Sequence, residues 1–229
     1  PGEFTELYGG TVSGALAAIT TIMNRVTLIY ETELAVRFTV IPTTTQAIYT
    51  NPATDPFTNP FDNSTTLGNA DEGLAPIPLS AYDIGHVFST ASGGVAQLGV
   101  VCTNSKMRGV SGSGLAPLDP YTVKLVAHEI GHQFRANHNF NGAGTLCGTN
   151  WGGAASEPGS GNTIMSYAGQ CHPDNTAPVA DPFFHARSWE EMTEFIDTRT
   201  CDGSFSTGNQ FPVVSAGPDR TIPARTPFA

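Results

Sequence analysis

The segment His-Glu-Ile-Gly-His-Gln-Phe-Arg-Ala-Asn-His at 128–138 restricts this chain more than any other feature. On a helix, positions i and i+4 share a face, so His128 and His132 can both aim an imidazole nitrogen at one ion 2.0–2.1 Å away. Glu129 then lies beside the ion without being forced onto it. That suits a general base acting on water whose pKa a bound zinc lowers toward about 7. His138 is beyond the reach of the same helical face. The fold must therefore end a helix just after His132 and turn the chain back for a third ligand.

The flanking sequence provides such a helix. Asp119 is a good N-cap, Pro120 suits the first helical position, and Val123, Val126, Ile130 and Phe134 form an apolar stripe. Upstream, Val12, Leu16, Ile19, Met23, Val26 and Tyr30 recur at spacings of three and four, predicting a long amphipathic helix near 11–33. Val36, Phe38 and Val40 alternate with polar or small neighbours, predicting a strand that Pro42 ends. Residues 83–89 and 94–101 read as two further short segments, the second strand-like after a Gly-Gly turn. Residues 50–78, with repeated Asn-Pro and Asp-Pro steps, read as a long surface loop. Its Asp55, Asp62, Asp71 and Glu72 are a solvated face or, in the sharper reading, a calcium site. Ser188 and Glu191 form a capping box ahead of Met192, Phe195 and Ile196, predicting a C-terminal helix of about ten residues. A helix followed by strands points to a mixed α/β arrangement.

Charge narrows the partners. Ten basic against twenty acidic residues give a formal charge of −10, and only Lys106 and Lys124 are lysines, which argues against nucleic acid. No run approaches the roughly 18 consecutive apolar residues of a membrane helix, and the opening Pro1-Gly2-Glu3-Phe4 lacks the pattern of a signal peptide, so a processed chain without a membrane partner is expected. Cys102, Cys147, Cys171 and Cys201 are widely spaced, without a C-x-x-C pair. They read as two disulfides of a secreted protein or as buried thiols. His172 and His185 have no ligand partner at metal spacing, and His86, in the strand-like 83–89 segment, reads as structural.

An H-E-x-x-H string alone arises in unrelated helices. The third histidine and the later Thr163-Ile164-Met165-Ser166-Tyr167 make it specific. With these elements, residues 8–201 resemble the metzincin clan of zinc peptidases, in particular its bacterial reprolysin-like, or adamalysin-like, members. The resemblance implies an α/β (α+β) fold, with a twisted five-stranded sheet and long helices in an upper subdomain. A small irregular lower subdomain would end in a helix, with the cleft between the two. It implies one catalytic Zn2+ on His128, His132 and His138, Glu129 as general base, and Met165 in an apolar methionine turn beneath the histidines. Tyr167 matches a position where other branches of the clan carry a tyrosine that ligates zinc or bonds the tetrahedral intermediate; a packing role is the alternative. Gly94, Val95, Ala96, Gln97, Leu98 and Gly99 match the edge strand along which a protein or peptide substrate would lie. The cysteine order in similar domains implies Cys102–Cys201 and Cys147–Cys171. Arg135 departs from the pattern, which has glycine there because the turn favours positive φ.

The expected organisation is a monomeric catalytic domain over 1–202, then a linker and the start of an immunoglobulin-like module over 203–229. The expected activity is that of a secreted zinc endopeptidase. The rival from another class is a catalytically silent, zinc-stabilised binding module, which would most readily have lost Glu129 while keeping its ligands.

Overall fold

The computed structural model describes residues 1–113 and 120–201, with a few single positions beyond. Asp119 and nearly all of 203–229 lie outside the described residues. After a short helix α1 (Gly2–Leu7), the chain forms α2 (Val12–Leu34). The Thr11 hydroxyl starts α2 by accepting from the Gly14 amide at 3.1 Å. Ala35 stops it in the left-handed region at φ 55°, where the Ala35 and Val36 amides bond back to the Glu31 and Tyr30 carbonyls. Ala15, Ala18, Ile22, Val26 and Tyr30 are its buried face. By length and composition α2 is also apolar enough to cross a membrane, which a search for uninterrupted apolar runs passes over. Here the Tyr30 hydroxyl donates to the Ala127 carbonyl at 2.9 Å, tying α2 to the helix that carries the paired histidines.

The 50–78 region is more regular than its proline content suggests. It contains α3 (Asn63–Gly68) and α4 (Ala70–Leu74). Asp62 caps α3 through the Thr65 amide at 2.8 Å, and Phe57 lies so close to Gly73 that a Cβ there would meet its ring at 2.2 Å. A buried aromatic therefore anchors what composition alone reads as loop. The carboxylates do not converge. Asp55 accepts from the Gly2 and Phe57 amides, Asp62 caps α3, and Asp71 pairs with Arg108.

The sheet has three strands among the described residues, not five. They are β1 (Val87–Ser89), β2 (Gly93–Ala96) and β3 (Gly109–Gly112), in the order β1-β3-β2. β1 runs parallel to β3 and β2 antiparallel to it, with Gly94 opposite Ser111 and Val95 opposite Val110. The alternating stretch 36–40 packs Val36 and Phe38 on the core, but its backbone joins no ladder. The expected edge strand over 94–101 is shorter than its sequence suggests. Gln97 adds one bond to Arg108, after which the amides of Gly99, Val100 and Val101 turn to the His132 and Gln133 carbonyls. Gln97, Leu98 and Gly99 thus lie beyond the strand, because these amides satisfy the carboxyl end of the active helix.

That helix, α5 (Pro120–Gln133), is almost wholly buried from Leu125 onward and packs between α2 and the sheet. Below it, residues 139–184 are largely irregular. α6 (Ala186–Ile196) is the last helix among the described residues. Its N-cap is His185, whose Nδ1 accepts from the Arg187 amide at 3.1 Å, and not Ser188. Ser188 and Glu191 are turned inward, toward Asn139 and Asn137, so the expected capping box is absent. The cysteines pair as Cys102–Cys201, joining the segment before α5 to the end of α6, and Cys147–Cys171 in the lower region.

Candidate active site

α5 presents His128 and His132 one turn apart, and a tight reversal brings His138 to them. The reversal is centred on Arg135 at φ 78°, with the Ala136 amide bonded to the Gly131 carbonyl at 2.9 Å. This is the closure that glycine ordinarily serves, achieved here with arginine. The Nε2 atoms of His128 and His132 lie 3.1 and 3.0 Å from Nε2 of His138. Ligands on a tetrahedral zinc with 2.0–2.1 Å bonds stand about 3.4 Å apart, so each of these two pairs is within a few tenths of an ångström of a ligating separation, and all three ligand atoms lie within 4.8 Å of one another.

The other ring nitrogens decide whether these atoms are free to ligate. His128 Nδ1 donates to the Ile164 carbonyl and His132 Nδ1 to the Ala136 carbonyl, both at 2.7 Å. Those bonds place the proton on Nδ1 and leave the Nε2 lone pairs aimed at the common centre. Burial holds all three imidazoles in the neutral, ligating form. It lowers His132 to about 4 and His138 to about 3, the latter with help from the charges of His132 and Lys124. Among the described residues, this is where three metal-type ligands converge. The donor set fits zinc.

Glu129 is buried beside them, and burial pushes its carboxyl up to about 8 while Lys124 pulls it back. A dication on the histidines acts in the same sense as Lys124. β2 passes directly over this carboxylate, since a Cβ on Gly94 would stand 2.5 Å from Glu129 Cγ and 2.7 Å from Oε1. Met165 is fully buried under α5, and a Cβ on Gly131 would meet its sulfur at 2.5 Å. The Tyr167 ring lies against His138 and Phe140, at centroid distances of 4.5 and 4.6 Å.

The structure thus sets Gly94 over Glu129, Tyr167 against His138 and Met165 beneath Gly131 of the same helix, whereas Val95 of the strand packs on the core with Val87 and Val110. It also shows contacts that the sequence did not announce. Glu191 of α6 accepts the Asn137 amide at 2.8 Å and its side-chain nitrogen at 3.2 Å, so the carboxylate grips the residue before His138. Gln133 takes Nδ1–H of His86 at 2.8 Å and donates to the Gly85 carbonyl, fastening α5 to β1. No pattern pointed to either pair, because their partners are 54 and 47 residues away in sequence.

A family model described as Metallo-peptidase family M12B Reprolysin-like matches residues 1–194. No curated protein matches the chain.

Proposed function

Because the chain belongs to the M12B reprolysin-like metallopeptidases and carries their zinc-binding histidines, so that it is a zinc metalloprotease, we propose that it is a secreted endopeptidase with Glu129 as general base. The observation that carries this reading is the convergence of three Nε2 lone pairs next to a buried carboxylate under an edge strand. Two disulfides favour an oxidising compartment.

Zinc, when bound, supplies a Lewis acid that polarises the scissile carbonyl and acidifies water. The chain's own groups do the rest. Among the described residues β2 is the outer strand of the sheet, and its outer edge offers amides and carbonyls to an extended peptide, which adds as an antiparallel strand. Main-chain bonds to Gly94–Ala96 set the register and bring a carbonyl over the histidines. Glu129 takes a proton from the attacking water and returns it to the leaving amine. The Tyr167 hydroxyl is assigned the remaining donation to the developing oxyanion. Met165 packs directly against Gly131, between the two histidines of α5, and so supports the turn that carries them. We assign the catalytic domain to residues 1–202 and expect it to act as a monomer.

The test is digestion of a random peptide library by the purified protein, with sequencing of the products and a chelator control. Internal cleavage that the chelator abolishes supports the reading. Dipeptides cut as fast as peptides of six or more residues would contradict the edge-strand mode of binding, since they cannot form the ladder.

A further inference from the structure

In a chain of formal charge −10, the position of each lysine is informative. Lys106 lies over the Tyr82 ring. Lys124 stands on α5 one turn ahead of His128, and positions i and i+4 share a face, so its stem runs along the side of the helix that carries the histidines. It is half-buried, and among the described residues its ammonium makes no ion pair or hydrogen bond. Its charge also acts on His128, Glu129 and His138, in keeping with that side of the helix.

A cation set partly out of water without a partner is unfavourable, and the site gives it little relief. The Glu129 carboxylate acts on it through charge, and the two are not in ion-pair contact. With a dication on the histidines, positive charge is in excess across the cleft. An anionic group on the substrate offsets that excess, and a cationic one adds to it.

We propose that Lys124 is a specificity-determining residue that receives a substrate carboxylate next to the scissile bond, so that the enzyme cleaves beside Asp or Glu. This rests on the proteolytic reading above. The carboxylate belongs to a side chain within a longer peptide and not to a chain terminus, because the free edge of β2 lets the peptide continue past the site on both sides. An incoming carboxylate also favours the charged form of the amine that binds it, so recognition and protonation reinforce each other.

The experiment uses internally quenched peptides that differ at one position, Glu, Gln or Lys, scanned over the three residues on each side of the cleaved bond. Each peptide is made with both a free and an amidated C-terminus. At one position kcat/KM should rank Glu over Gln over Lys, with about tenfold between the first two, the order expected of one charge-assisted bond. The ratio should be the same for amidated peptides and should fall at high salt. In Lys124→Met the Glu-to-Gln ratio should fall to about one, and in Lys124→Glu the order should invert in favour of Lys. A merely structural lysine would lower all rates together and leave the ratios alone. Equal rates for Glu and Gln at every position, ratios unmoved by Lys124→Met, or dependence on a free C-terminus would each overturn the proposal while leaving the protease assignment intact. If no peptide were cleaved, the protease assignment itself would be in error. Binding of the Glu and Gln peptides to zinc-loaded Glu129→Gln, with and without Lys124→Met, would then decide the charge preference on its own.

Discussion

Gly94→Ala isolates the contact between the edge strand and Glu129, the proposed general base. A Cβ at Gly94 would stand 2.5 Å from Glu129 Cγ and 2.7 Å from Cδ and Oε1, whereas ordinary contact begins near 3.4 Å. Something must move by about 0.9 Å. The strand is held by its register with β3, from Gly93 opposite Gly112 to Ala96 opposite Gly109, and the backbone of Gly94 is not in the left-handed region, so alanine fits the chain itself. The movable partner is the Glu129 side chain. Displacing a catalytic group by about 1 Å costs on the order of 100-fold, or about 2.7 kcal/mol of transition-state stabilisation. We expect kcat/KM on a long quenched peptide to drop by that factor while zinc content and melting temperature hold, since Glu129 is not a ligand. A variant within twofold of the parent would refute the placement of β2 over the base. A drop accompanied by zinc loss would trace the damage to the fold instead.

Glu129→Gln should abolish hydrolysis and keep zinc bound, and elemental analysis showing zinc loss would overturn its assignment as base. Replacing both Cys102 and Cys201 by Ser opens a link between positions 99 residues apart. The chain-entropy model places its worth near 4–5 kcal/mol, so denaturant unfolding should show a loss of several kcal/mol, and an unchanged midpoint would contradict it. His86 is half-buried with both ring nitrogens bonded, to Gln133 and Ser111, and desolvation lowers its pKa from 6.5 to about 4. The folded state therefore resists the proton that the unfolded state accepts. This contribution is complete above about pH 6.5, is lost as pH falls toward about 4, and amounts to roughly 3 kcal/mol. Urea unfolding of the zinc-loaded protein between pH 4 and 7 should show a shallower pH dependence in His86→Gln. Equal slopes would show that His86 does not carry the effect.

The cluster of His128, Glu129 and His132 was legible in the sequence because helical spacing and residue chemistry are local. His128, Glu129 and His132 need only the period of α5 to meet, and Thr163–Tyr167 form one turn. α2 was equally legible, since its apolar stripe runs the length of the helix. What was not legible depends on distant partners. Val36, Phe38 and Val40 alternate as a strand does, but a ladder needs a neighbour, and periodicity contains no information about one. Composition made 50–78 a loop, yet Phe57 against Gly73 supplies the burial that fixes α3 and α4. Ser188 and Glu191 have the spacing of a capping box. The same hydrogen-bonding groups serve Asn139 and Asn137 better, because those sites are buried and water cannot compete there.

Arg135 shows how such distant contacts sustain a local exception. Its left-handed backbone costs on the order of 1 kcal/mol for a residue with a Cβ, and the sequence offers no glycine to remove that cost. The turn is nevertheless determined from both sides. On the helix side, the His132 carbonyl receives the Arg135 and Gly99 amides, and the Gln133 carbonyl receives those of Val100 and Val101, so α5 cannot extend further. On the far side, Glu191 holds Asn137, and the Asn139 amide bonds to the Met165 carbonyl at 3.2 Å. His138 lies between those two anchored residues, and His132 Nδ1 bonds to the Ala136 carbonyl inside the same reversal. Several hydrogen bonds of roughly 1 kcal/mol each outweigh one strained residue. The third ligand is thus positioned by α6, the methionine turn and the residues after β2, and glycine at 135 is dispensable because the surrounding contacts already select the turn.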